Sequence, residues 1–255
     1  MNAKTTTAQI RLNRVSPAYW RITFNNPPLN VMGPQFVQEF REVVTAIEDD
    51  EQVKVVVFDS AVEGYFLNHS DFLANFEDLK RIPAGPTGLE AWPDGLVRLT
   101  RAPVVSIALI KGRATGNGSE IALASDMTFV SREKAVLSQW EVGIGLVAGG
   151  GPMARLPRLI GRGRALEVLL SSEDIGGELA EAYGYVEPGA TGRRARRVRR
   201  RARDAHRRVR EVGDRQHQAF GERQSSAGRG NRGRVGCMHG LRRPAGDTSE
   251  DQGLF

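Results

Sequence analysis

PVVSIALIKGRATGNGSEIALASDMTFVSREKAVLSQWEVGIGLVAGGGPMARLPRLIGRGRALEVLLSS, residues 103–172, is the stretch on which the reading of this chain turns. Its opening, PVVSIALI (103–110), is an apolar, β-branched run, the pattern of a strand buried on both faces. It leads through a glycine-bearing turn, GRATGNGSE (112–120), into a short apolar helix, IALASD (121–126). MTFVS (127–131) is a further strand, and GGGPMARLPRLIG and GRALEVLLSS are further helices. Strand and helix also alternate upstream. AQIRLNRV and AYWRITF are short strands whose turn, SPA, suits a hairpin. PQFVQEFREVVTAIE (34–48) sets Phe36, Phe40, Val43, Val44 and Ile47 at helical spacing, with Pro34 suited to the first turn. VKVVVFDS (53–60) is a second buried strand, and YFLNHSDFLANFEDLKRI (65–82) is predicted to pass from loop to helix near Ser70. Strands alternating with helices predict a layered α/β fold with parallel strands. No internal repeat is visible.

Length and charge divide the chain. At 255 residues it is long enough for one large domain or two small ones. Its 40% apolar content supplies a core, but no run approaches the roughly 20 apolar residues of a membrane span. The first residues, MNAKTTTAQIRLNRV, hold no apolar run of secretory type, so a cytoplasmic protein is expected. The single cysteine, Cys237, excludes an intrachain disulfide and a cysteine-based zinc cluster; no metal site is expected. The net charge of +6 is unevenly placed. Residues 187–255 hold 18 Arg and no Lys against 8 acids, a net +10, which leaves 18 basic and 22 acidic residues, or −4, in 1–186. Two kinds of sequence meet near Val186.

Two places carry chemistry. In GRATGNGSEIALASD (112–126), Gly116 and Gly118 flank Asn117 where a buried strand enters a helix. A helix start leaves N–H groups without intrahelical partners, and such groups can hold a developing oxyanion. Glu120 follows in the first turn, where it either complements the helix dipole or does chemistry. The spacing lacks the Lys-Ser/Thr of a phosphate loop. In SQWEVGIGLVAGGGPMARL (138–156), Glu141 stands in an apolar stretch before a glycine run. It is either a surface carboxylate at a strand end or a partly desolvated general acid or base.

In its order of residues the chain resembles the crotonase superfamily, the enoyl-CoA hydratases and isomerases. The resemblance covers about residues 8–186 and is carried by the whole block 103–172, a longer and more specific match than any short motif within it. It implies an α/β, crotonase-like spiral of ββα units and a hydratase-like lyase acting on acyl-CoA thioesters in fatty acid metabolism. CoA is then part of the substrate and no cofactor is needed. Carried over by position, the resemblance makes the backbone amides of Ser70 and Asn117 the oxyanion donors, and Glu120 and Glu141 the catalytic carboxylates. His69, Ser70, Asp71, Phe72, Leu73, Gly116 and Asn117 become substrate-binding positions. Two departures stand out. Asn117 replaces a glycine, which a donor role survives because only its N–H is needed and Asn tolerates left-handed backbone. Asn68-His69 replaces a small pair, so His69 either packs the loop or narrows the acyl pocket. One scaffold serves several reactions, and isomerase or another CoA-thioester reaction is the alternative. Retention of both glutamates favours hydratase.

The tail reads differently. Residues 187–255 contain no Ile and little Leu, the composition of a solvated segment. A nucleic-acid arm is the less favoured function, since only Phe220 and Phe255 could stack on bases. A third reading is a frameshift. One GC-rich codon choice for Glu187–Arg200, read one base later, gives NRALPDAELDAFV, a capped amphipathic helix. Met238-His239 must be ATG CAY, whose shifted codon TGC encodes Cys. The segment is thus expected to stand out of frame in place of helices that, in the family, complete a homotrimer or hexamer. The chain as written is expected to be a poor enzyme or an inactive remnant.

Overall fold

The computed structural model describes residues 7–74 and 76–187. The arginine-rich tail, and with it the frameshift reading, lies outside the described residues. Two sheets organise the rest. Strands β1 (Ile10–Ser16) and β2 (Tyr19–Phe24) form the expected hairpin, pairing antiparallel from Ile10↔Phe24 to Ser16↔Tyr19. Parallel to β2 follow β3 (Val55–Ser60), β5 (Val105–Ile110) and β7 (Met127–Val130), in the order β1-β2-β3-β5-β7. A second sheet takes β4 (Tyr65–Leu67), β6 (Arg113–Thr115), β8 (Val136–Ser138) and β9 (Ile175–Gly176), in that order. Its first three strands are parallel and β9 runs antiparallel to β8.

Each long strand is followed by a short one in the other sheet: β3 by β4, β5 by β6, β7 by β8. A helix then closes each unit. These are α3 (Ala91–Arg101), after the short α2 (Phe76–Lys80), then α4 (Asn117–Ala124) and α5 (Pro152–Ile160). Three ββα units therefore wind one after another, as the resemblance implied. Helix α1 (Pro34–Asp49) precedes them; α6 (Arg162–Ser171) and α7 (Gly177–Tyr183) follow.

The core explains the winding. The residues spaced for α1's apolar face are all buried in the structure: Phe36, Phe40, Val43, Val44 and Ile47. Phe24 of the large sheet meets Phe66 of the small one with ring centroids 5.2 Å apart, and meets Phe36 of α1 at 5.3 Å. Each such side chain contributes roughly 1.5–3 kcal/mol on full burial. β3 is buried on both faces because its other side packs with Ile107, Leu109 and Phe129.

Two expectations are corrected. The segment 65–82 does not turn helical near Ser70. Ser70 forms a parallel bridge with Met32, and the Asp71 carboxylate accepts the Leu73 amide in a local turn that delays the helix to Phe76. And the left-handed residue of the turn before α4 is Gly116 (φ 51°, ψ −111°), so Asn117 needs no tolerance of that region. At the other end, Tyr185 and Val186 are buried and the Glu187 amide donates to the Thr128 carbonyl. No helix among the described residues is long and apolar enough to cross a membrane.

Candidate functional site

The ends of the short strands lie side by side. Gly118 lets α4 press onto β4, since a Cβ there would stand 1.9 Å from the Leu67 carbonyl oxygen. Thr115, at the end of β6, donates its hydroxyl to the Asn68 side chain just after β4. Asn30, fully buried with φ 55°, braces the same place from a third segment. Its amide donates to the Phe66 carbonyl and to Ser60 Oγ, and its own carbonyl accepts the Asn68 N–H. Asn68–Ser70 and Gly116–Asn117 thereby become neighbours, and Ser70 Oγ donates to Asn117 Oδ1 at 3.0 Å.

Among the described residues, no backbone carbonyl accepts the amide of either oxyanion candidate. In the bridge with Met32, bonds run from the Met32 amide to the His69 carbonyl and from the Asp71 amide to the Met32 carbonyl, which skips the Ser70 N–H. Asn117 is the first residue of α4, a position without an intrahelical acceptor.

A cavity of about 460 Å³ opens beside them. Ser70, Asn117, Glu120 and Glu141 all line it, as do His69, Phe72 and Gly116 of the expected binding set. Asp71 and Leu73 do not line it; Asp71 holds its turn and Leu73 is 98% exposed. His69 packs against its neighbours and lines the cavity. Its ring lies 4.8 Å from that of Trp140 and 5.4 Å from that of Phe72, and all three line the cavity. Nδ1 of His69 lies 2.7 Å from the Ser70 carbonyl oxygen, which can only accept.

The two carboxylates are held differently. Glu120 is buried and accepts three hydrogen bonds. They come from Trp92 Nε1 (2.6 Å), the Gly150 amide (2.6 Å) and Asn117 Nδ2 (3.2 Å). Burial pushes its pKa above the ordinary 4.5, while these donors and the Arg155 charge pull the other way. Glu141 opens the 3₁₀ turn Glu141–Ile144. Its pKa is also raised, first by burial and then by the nearby Glu120 charge. Gln139, with its amide nitrogen toward Glu141, lies 3.1 Å from each carboxylate oxygen and accepts from Ser119 Oγ at 2.8 Å. Ser119 is in turn bonded to the hydroxyl of Tyr185, whose pKa burial pushes up to about 12. No group of three His, Cys, Asp or Glu side chains among the described residues could hold a metal ion.

These shifts have a sign in stability. A carboxylate with a raised folded pKa favours folding most below its unfolded value, and the contribution is lost as pH rises through the folded value. Melting temperature is therefore expected to decline as pH rises above about 4.5, the ordinary value of both groups. Glu141→Gln should flatten the part of that decline due to Glu141, checked by calorimetry across pH. A variant with an unchanged slope would show that Glu141 titrates normally.

Trp92, Gln139, Trp140 and Gly150 were missed in the sequence. Trp92 stands in a Pro- and Gly-rich stretch, PAGPTGLEAWPDG, where its spacing to Leu96 and Leu99 is the helical signal that marks it.

The family model for enoyl-CoA hydratase/isomerase matches residues 16–220, which continues past Val186 into the undescribed tail. Enoyl-CoA hydratase domain-containing protein 2, mitochondrial, of Mus musculus is 32% identical over 189 residues, 72% of this chain and 63% of that one. Crotonyl-CoA hydratase of Syntrophomonas wolfei is 29% identical over 62% of this chain and 60% of that one. A crystal structure from Streptomyces avermitilis, provisionally described as an enoyl-CoA hydratase, superposes with a TM-score of 0.71 at 36% identity. It covers 80% of this chain and 73% of its own. The chain thus spans under two thirds of the length of these two curated relatives.

Proposed function

Because the chain belongs to the enoyl-CoA hydratase/isomerase family, we propose that it hydrates 2-enoyl-CoA thioesters. The observation that carries this reading is the meeting of two carboxylates and two amides without backbone partners on one cavity. The thioester oxygen, as it gains enolate charge, would be held by the Ser70 and Asn117 amides, each such donor typically worth a few kcal/mol. Water facing Glu120 and Glu141 loses a proton to one carboxylate as its oxygen bonds to the β-carbon. The other carboxylate delivers a proton to the α-carbon, a syn addition that leaves the pair with its starting proton count. CoA enters and leaves as part of the substrate, with no other cofactor in the scheme.

A cytoplasmic home, fatty acyl substrates and a homotrimeric or hexameric assembly belong to the same proposal. So does the out-of-frame reading of 187–255, supported by its arginine excess and checked by resequencing across the Val186 and Glu187 codons.

The test is the chain with its frame restored after Val186, beside the chain as written, mixed with 2-enoyl-CoA substrates of several lengths. Loss of the conjugated thioester absorbance and gain of 3-hydroxyacyl-CoA by mass are followed. Glu120→Gln and Glu141→Gln should each lower kcat about a hundred-fold, with CoA-thioester binding largely kept. Rates unchanged in both variants would sink the assignment. Migration of the double bond without uptake of water would assign isomerase instead.

A further inference from the structure

Glu120 is 3% exposed in the first turn of a largely buried helix, so something must set where its carboxylate points. Two of its three donors belong to the turn and loop that form the cavity itself: Asn117, three residues back, and the Gly150 amide. The third comes from a different helix. Trp92, in the first turn of α3, is 9% exposed and places its indole N–H 2.6 Å from Oε2. Its ring is wedged against Phe40 at 5.1 Å and Phe36 at 6.3 Å, so the donor cannot swing away. An indole nitrogen donates and never accepts, so this contact recognises only a lone pair. By contrast, the buried indole nitrogen of Trp20 has no hydrogen-bond partner among the described residues.

Resting on the hydratase reading for its catalytic meaning, we propose that Trp92 is a positioning residue, whose indole N–H fixes the orientation of the Glu120 carboxylate in the cavity. A short bond from a neutral donor to a buried carboxylate favours the charged form and one rotamer of it. The cavity wall and the proton acceptor are thus built on one rigid ring, since Trp92 also lines the cavity. The other groups bearing on Glu120 are Arg155 of α5, Glu141 of the 3₁₀ turn, and the Asn117 and Gly150 donors. Of the three donors, Asn117 belongs to the oxyanion turn and Gly150 donates from its backbone, so Trp92 is the one whose donor a side-chain substitution removes outside that turn.

Two measurements test this on the full chain. The first needs no activity. In ¹H–¹⁵N spectra, the indole cross-peaks of Trp20, Trp92 and Trp140 are recorded, with Trp92→Phe assigning the one of interest. The Trp92 peak should lie far downfield, shift upfield in Glu120→Gln, and titrate with pH in the parent protein. A Trp92 peak indifferent to Glu120→Gln overturns the proposal whether or not the protein is a hydratase. The second is kinetic. Trp92→Phe keeps the ring and loses the donor. It should lower kcat about ten-fold with KM nearly unchanged. It should also move the acid limb of kcat/KM to higher pH, because a carboxylate deprived of a donor holds its proton more tightly. A purely structural tryptophan would lower melting temperature and leave that limb in place, which also overturns the proposal. If the parent protein hydrates no enoyl-CoA while its indole peak responds to Glu120, the hydratase reading fails and the positioning stands.

Discussion

Gly150→Ala is expected to lower kcat for the proposed hydration about a thousand-fold, within the range by which positioned proton-transfer groups accelerate such reactions. The physical cause is a collision. A Cβ built on Gly150 would stand 2.1 Å from the Glu120 carboxyl carbon and 2.2 and 2.4 Å from its two oxygens. No rotamer of alanine can relieve this, because a methyl group has none. Either the carboxylate leaves, or the 149–151 backbone retreats and takes the Gly150 amide out of its 2.6 Å bond. Both outcomes leave a buried carboxylate short of a donor, which raises its affinity for a proton. Because the loop also lines the cavity, loss of geometry adds to loss of the hydrogen bond. Steady-state kinetics with a melting curve separate this from unfolding: rate should collapse while melting temperature falls only modestly. An alanine variant with near-parent kcat would mean that Glu120 is not where the reaction is done.

Gly118→Val should instead act on the fold. The added Cβ would lie 1.9 Å from the Leu67 carbonyl oxygen and 2.8 Å from its carbon, both backbone atoms inside β4. Neither partner can yield by a side-chain rotation, since both belong to regular elements packed at the middle of the molecule. Relieving the contact requires α4 and β4 to separate by more than an ångström, which opens the packing around Ile121 and Leu67, both fully buried. Overpacking of this kind costs about 3 kcal/mol or more. For a domain of this size that is a fall in melting temperature of roughly 6–12 °C. Thermal denaturation followed by circular dichroism checks it. A variant melting within a degree or two of the parent would show that the two elements are not in this contact.

The parts of the architecture that rest on a strong repeating pattern were legible in the sequence. β3 and β5 announce themselves as runs rich in apolar, β-branched residues, and α1 by its five spaced apolar residues. The small sheet was not, for a physical reason. β4, β6 and β8 are three residues long each, too short to show a period, and their pairing is decided by the turns that deliver them. Gly112 belongs to one such turn. Its hypothetical Cβ would lie 2.2 Å from the Gly64 carbonyl oxygen, so two turns distant in sequence pack directly on each other. The candidate site shows the same division. Glu120 and Glu141 stand out as carboxylates in apolar company, but nothing local links them to Trp92 or to Gly150. Those contacts appear only when α3 and the glycine run are folded onto α4.

The spiral has a thermodynamic corollary. The groups around the cavity are joined by contacts that reach across 28, 30 and 47 residues of chain, from Trp92 to Glu120, Glu120 to Gly150 and Ser70 to Asn117. An occupant touching all of them is a reversible cross-link between successive turns, and it has no counterpart binding mode on the unfolded chain. By mass action it stabilises every turn at once, by about 2.7 kcal/mol when present at a hundred times its dissociation constant. Saturation of the cavity and tightening of the whole spiral are in that sense a single equilibrium.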